Sequence, residues 1–383
     1  MRSAATVLML CVLAGGQTLA GQEEAAEFDS IARRGIERVY NLEFESADQD
    51  FSALVRMKPG HPAGRFFLAM VTWWRIMIDL DNRHYDEQFL DDLDGVVDMC
   101  DSLLKINRDD VTAMFFKCGA IGFQGRLKFH RDDYLGAANA GRKALSLVQA
   151  AASLDPQNYD ILLGSGMYDY YADVIPNEYP FLKPLLLFVP AGDKKRGIEE
   201  LTAAVQKGKF ALIESEYLLM QIYYLYERDY GKALTLAQDL HGRFPRNMLF
   251  HRYLGRCHVS MSNWPVAGQI FAEILARVQS SMRGYGADTE REAQYYLGFL
   301  AMMDKHYEEA LKHLYRCDEL CRELDHDGAS GFMSMANLKI GMIYDLQAKR
   351  ELAIDQYKKV LDMKAYKDSQ NQAANYLRSP YSQ

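Results

Sequence analysis

The residues that could do chemistry in this 383-residue chain are few, and their spacing is mostly wrong for it. His251 and His258 are seven apart on one expected helix, two turns along roughly one face, with no Asp or Glu completing a metal site. His313 and Cys317 are four apart, a spacing that metal ligands use, but no further ligand converges on them. Cys317 and Cys321 are also four apart, on neighbouring turns of one helix, where a disulfide would form only with strain. Gly164-Ser-Gly-Met-Tyr-Asp begins like a dinucleotide fingerprint but lacks the third glycine and a preceding strand. Gly192-Asp-Lys-Lys-Arg-Gly197 has the look of a phosphate loop and reads better as a basic turn entering a helix. Acidic pairs such as Asp91-Asp92 and Asp109-Asp110 suit solvated helix faces and caps. HExxH, GxSxG and GxxxxGK[ST] patterns are missing, and no SxxK set with its companion SDN and KTG motifs is present, so no catalytic residue, no metal ligand and no cofactor is assigned, and a non-enzyme is expected.

The elements that would position any site are far more legible. Gly35 and Ala47, Gly255 and Ala267, Gly298 and Ala310, and Gly341 and Ala353 are each 12 residues apart. Four residues beyond each alanine stands a bulky apolar side chain: Phe51, Phe271, Leu314 and Tyr357. The last three glycines follow one another at intervals of 43, and Gln221 precedes Gly255 by 34. Two antiparallel helices approach closely where one side chain is small, and a large one fills the space beside the crossing. Prolines such as Pro59, Pro156 and Pro245 then close the second helix of a pair.

This template resembles the tetratricopeptide repeat (TPR), with small residues at positions 8 and 20 and proline at 32. It covers residues 28–367, with clear repeats at 28–61 and from 214 onward and stretched ones between. The expected fold is therefore all-α: a right-handed α-solenoid of antiparallel helix pairs, TPR-like, with about eight repeats. The expected division is a signal peptide at 1–20, N-terminal TPR-like repeats at 21–213 with an insertion at 174–193, C-terminal repeats at 214–367, and a tail at 368–383. The stretch from Gly164 through Tyr168, Tyr170, Tyr171 and Pro176 to Gly192 and Gly197 also resembles a subgroup of exported bacterial TPR proteins with a Tyr- and Pro-rich insertion. More distantly it is similar to a eukaryotic TPR family linked to the mitochondrial outer membrane. Neither resemblance implies an activity.

Met1-Arg2, an apolar run from Ala4 to Ala14, and small residues at Thr18 and Ala20 read as a secretory signal peptide cleaved after Ala20. The expected location is thus the bacterial periplasm or cell envelope. Cys11 lies inside the apolar run, which argues against a lipoprotein, and the remaining five cysteines read as small buried residues. Composition is ordinary for a folded chain, 49% hydrophobic and 25% charged, and the net charge of −8 argues against nucleic acid as a partner.

In a solenoid the first helix of each pair lines the inner face. Template positions 2, 5, 9 and 12 put Leu218, Ile222, Arg252, Arg256, Tyr295, Phe299 and Met342 there, as candidate contacts for a protein or peptide. A largely apolar lining needs a cover, either a partner or the chain itself. Arg252 and Arg256 would grip an anionic partner, and be removable at little cost to stability, or else pair with Glu216 or Glu292. The chaperone-binding TPR subclass is not carried over, because Ile222 and Arg256 occupy its asparagine position. In the insertion, the apolar run Tyr179 to Pro190 carries three prolines and is too short to span a bilayer. It either plugs the solenoid or offers a lip, with Tyr168, Tyr171, Phe181, Leu185 and Phe188 as contacts. The sequence thus points to a non-catalytic exported scaffold in envelope assembly. The alternative is an envelope module contacting lipid or glycan through residues 179–190.

Overall fold

The computed structural model describes residues 2–183, 190–326 and 328–382, with side chains from residue 21. The described residues form seventeen α-helices and one 3-10 turn, with no strand among them. The helices run α1 (Arg2–Tyr40), α2 (Phe44–Met57), α3 (Pro62–Met77), α4 (Asp86–Ile106), α5 (Val111–His130), α6 (Tyr134–Leu154) and α7 (Ile161–Glu178). After the turn Pro180–Leu182 come α8 (Lys194–Lys207), α9 (Leu212–Leu225), α10 (Tyr230–Arg243), α11 (Met248–Ser260) and α12 (Trp264–Gln279). The chain closes with α13 (Ala287–Met303), α14 (Tyr307–Leu324), α15 (Gly331–Leu346), α16 (Arg350–Asp362) and α17 (Ser369–Arg378). Taken two by two, α1 to α16 make eight hairpins in chain order, as expected.

The template glycines sit where the spacing places them. A Cβ on Gly35 would overlap the Phe51 ring. One on Gly255 would stand 2.9 Å from Phe271, one on Gly298 2.7 Å from Leu314, and one on Gly341 2.6 Å from Tyr357. Ala47, Ala267, Ala310 and Ala353 are all fully buried beside them. These hairpins are of the tetratricopeptide type, and the architecture is an α-solenoid of stacked helix pairs. One glycine differs from expectation. A Cβ on Gly164 would stand 2.6 Å from Val148 of the preceding hairpin, while Gly166 and Gly197 make the close crossing of α7 with α8.

Six hairpins turn through a residue in the left-handed region: Leu42, Asp132, Arg228, Ser262, Lys305 and Ala348, with φ between 54° and 63°. None of the six is glycine. Side chains cap several first turns: Asp110 accepts from Ala113 N–H, Asp229 from Lys232 N–H, and Asn247 from Leu249 and Phe250 N–H.

The chain divides into two compact units, Met1–Ile222 and Tyr223–Gln383, with the division inside α9. The first unit is built around aromatic side chains. Trp73 and Trp74 are essentially fully buried, Trp74 packs at 5.0 Å from Tyr40, and Phe67 touches Phe51, Phe66, Phe116 and Phe210. In the second unit the core runs through Cys317, Cys321, Leu338, Ile340, Ala353, Tyr357 and Val360. The residues expected as a tail contain α17, which ends the stack. Arg350 donates to the carbonyls of Tyr376 and Leu377, and Asp345 accepts from Tyr381 N–H. All five cysteines beyond Cys11 are free and buried.

Candidate ligand-binding site

The first unit holds a cavity of about 430 Å³, within the size range of small-molecule and side-chain pockets. Its wall comes from five places in the sequence: Ala25, Phe28 and Asp29 on α1; Lys58 and His61 before α3; Thr112, Phe115 and Phe116 on α5; Asp155 to Asp160 before α7; and Lys207 to Phe210 before α9. The inter-hairpin connections therefore meet at one end of the stack.

Three local devices shape it. Asp160, only 7% exposed, accepts from the N–H groups of Lys209, Phe210 and Ala211 at 2.7, 3.0 and 3.0 Å. This folds the α8–α9 connection back onto the start of α7 and satisfies donors at the entry to α9. His61 accepts from Ala63 N–H through Nδ1 at 3.2 Å, which leaves the proton of the neutral ring on Nε2. Burial, then the Lys58 charge, lowers the His61 pKa below the usual histidine value. The His61 ring stands edge-on to Phe28 and Phe116.

The third device is a rim of ammonium groups over aromatic faces. Lys58 lies 5.3 Å from the Phe28 ring centre, Lys207 4.7 Å from Tyr159, and Lys209 4.9 Å from Phe210. Lys209 also pairs with Asp29, and Lys207 donates to the Tyr159 hydroxyl. The cavity thus joins an apolar floor, with Phe28 and Phe116 buried, to a polar rim of both signs. Such a site suits a ligand with an apolar body and a charged or hydrogen-bonding end. Among the described residues no group of three His, Cys, Asp or Glu side chains could hold a metal.

The inner-face candidates lie elsewhere and are mostly covered. Leu218, Ile222, Arg252 and Met342 are buried, while Arg256, Tyr295 and Phe299 are half-buried. Arg252 and Arg256 converge on Glu292, which is fully buried. Its Oε2 accepts from Arg252 Nε at 2.7 Å and from Arg256 Nη2 at 2.6 Å, and Arg252 also pairs with Asp288. Burial alone would raise the Glu292 pKa, but the charges of Arg256 and Arg252 hold it at about 2. The pairing alternative therefore applies, with Glu292 as partner. The expectation that both arginines are removable at little cost is corrected, since their loss would leave Glu292 charged and alone.

His251 and His258, both buried, serve the core. His251 stacks on His241 at 4.3 Å and meets the Tyr285 hydroxyl at 3.0 Å. Of the insertion candidates, Tyr168 donates to the Pro190 carbonyl at 2.6 Å, Tyr171 packs edge-on against Tyr170, and Phe181 is 62% exposed. Phe181 therefore does not plug the solenoid. Leu185 and Phe188 lie outside the described residues.

Sequence reasoning missed the cavity because its residues come from connections rather than from template positions. The available signal was the recurrence of an aromatic or a lysine at the ends of hairpins, as in Lys58-Pro59, Asn158-Tyr159 and Lys209-Phe210.

No family model matches the chain, and no curated protein matches it significantly. Solved structures similar to it include a human IFIT1 dimer with m7Gppp-AAAA, at 12% identity over 92% of this chain and 85% of that one, with a TM-score of 0.43. A human IFIT1 dimer with PPP-AAAA aligns at 13% identity over 92% and 84%, with a TM-score of 0.41. Yeast Tom70 aligns at 13% identity over 92% and 82%, with a TM-score of 0.40.

Proposed function

We propose that the chain is a non-catalytic scaffold of an exported bacterial subgroup with a Tyr- and Pro-rich insertion, acting in envelope assembly. It holds a peptide segment of a partner protein in the cavity of its first unit, without a cofactor. One observation carries this reading. The connections of successive hairpins bring an apolar floor and a lysine-bearing rim together in one concavity, the arrangement that accepts an amphipathic side chain or chain end.

Export is supported by the N-terminal apolar run and by the exposure of residues 21–27, which puts an accessible stretch between the proposed cleavage after Ala20 and the first buried side chain, Phe28. Among the described residues, no helix is long and apolar enough to cross a membrane. In the second unit Lys339 lies 4.8 Å from the half-buried Phe299 ring, which Trp264 also meets.

The test places a photo-crosslinking residue at Thr112, exposed on the cavity wall, and irradiates the chain in envelope extract. A discrete protein adduct that disappears in the Phe115→Asp and Lys207→Glu variants supports the reading. Adducts unchanged by both substitutions, or none above a distant surface control, overturn it. Sequencing the N-terminus of the secreted chain tests export, with Gly21 expected first.

A further inference from the structure

The apolar surface beside the insertion has an unusual composition. Phe129 lies near the end of α5, Tyr134 opens α6, Tyr179 follows α7, and Phe181 sits in the 3-10 turn. Their rings close a circuit of contacts: Phe129 to Tyr134 at 5.5 Å, Tyr134 to Phe181 at 5.7 Å, Phe181 to Tyr179 at 6.2 Å and Tyr179 to Phe129 at 6.4 Å. Clustered aromatics normally remove one another from water. Here Phe181 stays 62% exposed, and Leu135, next to Tyr134, stays 64% exposed.

The insertion is anchored at both ends. Leu182 is buried on the outgoing side. On the return side the Tyr168 hydroxyl holds Pro190, Asp173 accepts from Lys194 N–H at 3.0 Å, and Gly192 lies so close to the α7 backbone that a Cβ would overlap the Asp169 carbonyl. The sequence between Lys183 and Pro190 is Pro-Leu-Leu-Leu-Phe-Val.

Charge marks the same edge. In a chain of net charge −8, residues 179–196 carry four cations, Lys183, Lys194, Lys195 and Arg196, against one acid, Asp193. Lys183 and Lys195 are exposed, Lys195 with the exposed Glu199 carboxylate 3.9 Å away, and Arg196 pairs with Asp169. Three of the acids nearby are engaged locally: Asp132 accepts from the Tyr134 hydroxyl, Asp133 from Gly136 N–H and Asp193 from Arg196 N–H, while Glu178 is exposed at the end of α7.

We propose that this edge docks peripherally on an anionic lipid surface. Phe181, Tyr179 and Leu135 enter the headgroup region, and Lys183 and Lys195 meet the lipid phosphates. Aromatic side chains favour that interface, and each basic residue near an anionic surface adds attraction that salt screens. The edge shares no residue with the cavity wall, so the two readings stand or fall separately.

The test is co-sedimentation of the full chain with phosphatidylcholine vesicles, alone or with about a third phosphatidylglycerol. Because every variant keeps the same N-terminus, differences between variants report the edge. The wild-type chain is expected to partition onto the anionic vesicles with a salt-sensitive affinity. The Leu135→Asp/Phe181→Asp double variant should lose about tenfold and Lys183→Glu/Lys195→Glu at least as much. Equal partitioning of wild type and both variants overturns the proposal, as does equal binding to neutral and anionic vesicles. A wild-type dimer that the aspartate pair dissociates, without vesicle binding, assigns the edge to a second copy and also overturns it. A fall in melting temperature with no vesicle binding by any form assigns it to a cover from the chain's own segment, and likewise overturns it.

Discussion

The hydroxyl of Tyr40, the last residue of α1, donates to the carboxylate of Glu214 in α9 at 2.5 Å, across 174 residues of chain. Arg126 of α5 pairs with the other oxygen of the same carboxylate. Glu214 is therefore the point where the first, third and fifth hairpins meet, and all three side chains are largely withdrawn from water. Burial and the neighbouring Glu214 charge push the Tyr40 pKa well above its usual value, so the hydroxyl remains a donor.

Replacing Glu214 with Ala is expected to destabilise the first unit by about 3–5 kcal/mol, because it leaves the Arg126 guanidinium buried without a counter-charge. Tyr40→Phe, which removes one neutral donor, should cost only about 1–2 kcal/mol. Chemical denaturation monitored by tryptophan emission checks both, since two of the three tryptophans, Trp73 and Trp74, belong to that unit. Equal costs for the two substitutions would contradict the central role given to the carboxylate.

Glycine substitutions should separate crossing positions from idle ones. Gly341→Ala places a methyl 2.6 Å from the Tyr357 ring, and Gly255→Ala one at 2.9 Å from Phe271, so each should cost about 1–3 kcal/mol. Gly95→Ala, on an exposed face of α4 with open space around it, should stabilise by about 0.5–1 kcal/mol. Thermal melts of the three variants give the comparison, and a stabilised Gly341→Ala would refute the crossing geometry.

Acid should weaken the second unit before its carboxylates titrate. Burial, then His241 and the Arg277 charge, lowers the His251 pKa to about 2, whereas the unfolded chain holds a histidine near about 6.5. The unfolded state therefore binds the proton first as pH falls, and stability is lost from about pH 6.5 downward at up to about 1.4 kcal/mol per pH unit for this residue. The groups facing it are the stacked His241, the Tyr285 hydroxyl, the Glu273 carboxylate at 3.9 Å, and Arg277, which donates to Tyr285. His241, His258 and His313 are lowered by burial too and add to the slope. Denaturation between pH 7 and about 5 should give a shallower slope for His251→Gln. An unchanged slope would place the proton uptake elsewhere.

The repeat was readable because its signals lie within one hairpin. Gly255, Ala267 and Phe271 are fixed relative to one another by helix pitch and one short turn, so their spacing alone predicts the contact. Gly164 and Gly166 were not separable, because either leaves room for a crossing helix and only the neighbours, Val148 and Gly197, decide between them. The contact of Tyr40 with Glu214 was not readable, since the two residues lie 174 apart in the chain and no local pattern links them. The same holds for the cavity, where Phe28 and Phe210 share a wall although no local pattern links them. Helix α17 escaped notice because its sequence is polar and buries only Ser369 and Ala373.

Four of the left-handed turn residues, Arg228, Ser262, Lys305 and Ala348, are exposed and stand in the turns between successive helices. A side chain in that conformation works against the backbone by about 1–2 kcal/mol. Glycine at these four turns would relieve the strain without altering a core contact. Thermal hardening of this molecule is thus open at sites that belong neither to the cavity wall nor to the aromatic edge, which leaves recognition free to diversify while robustness is tuned on its own.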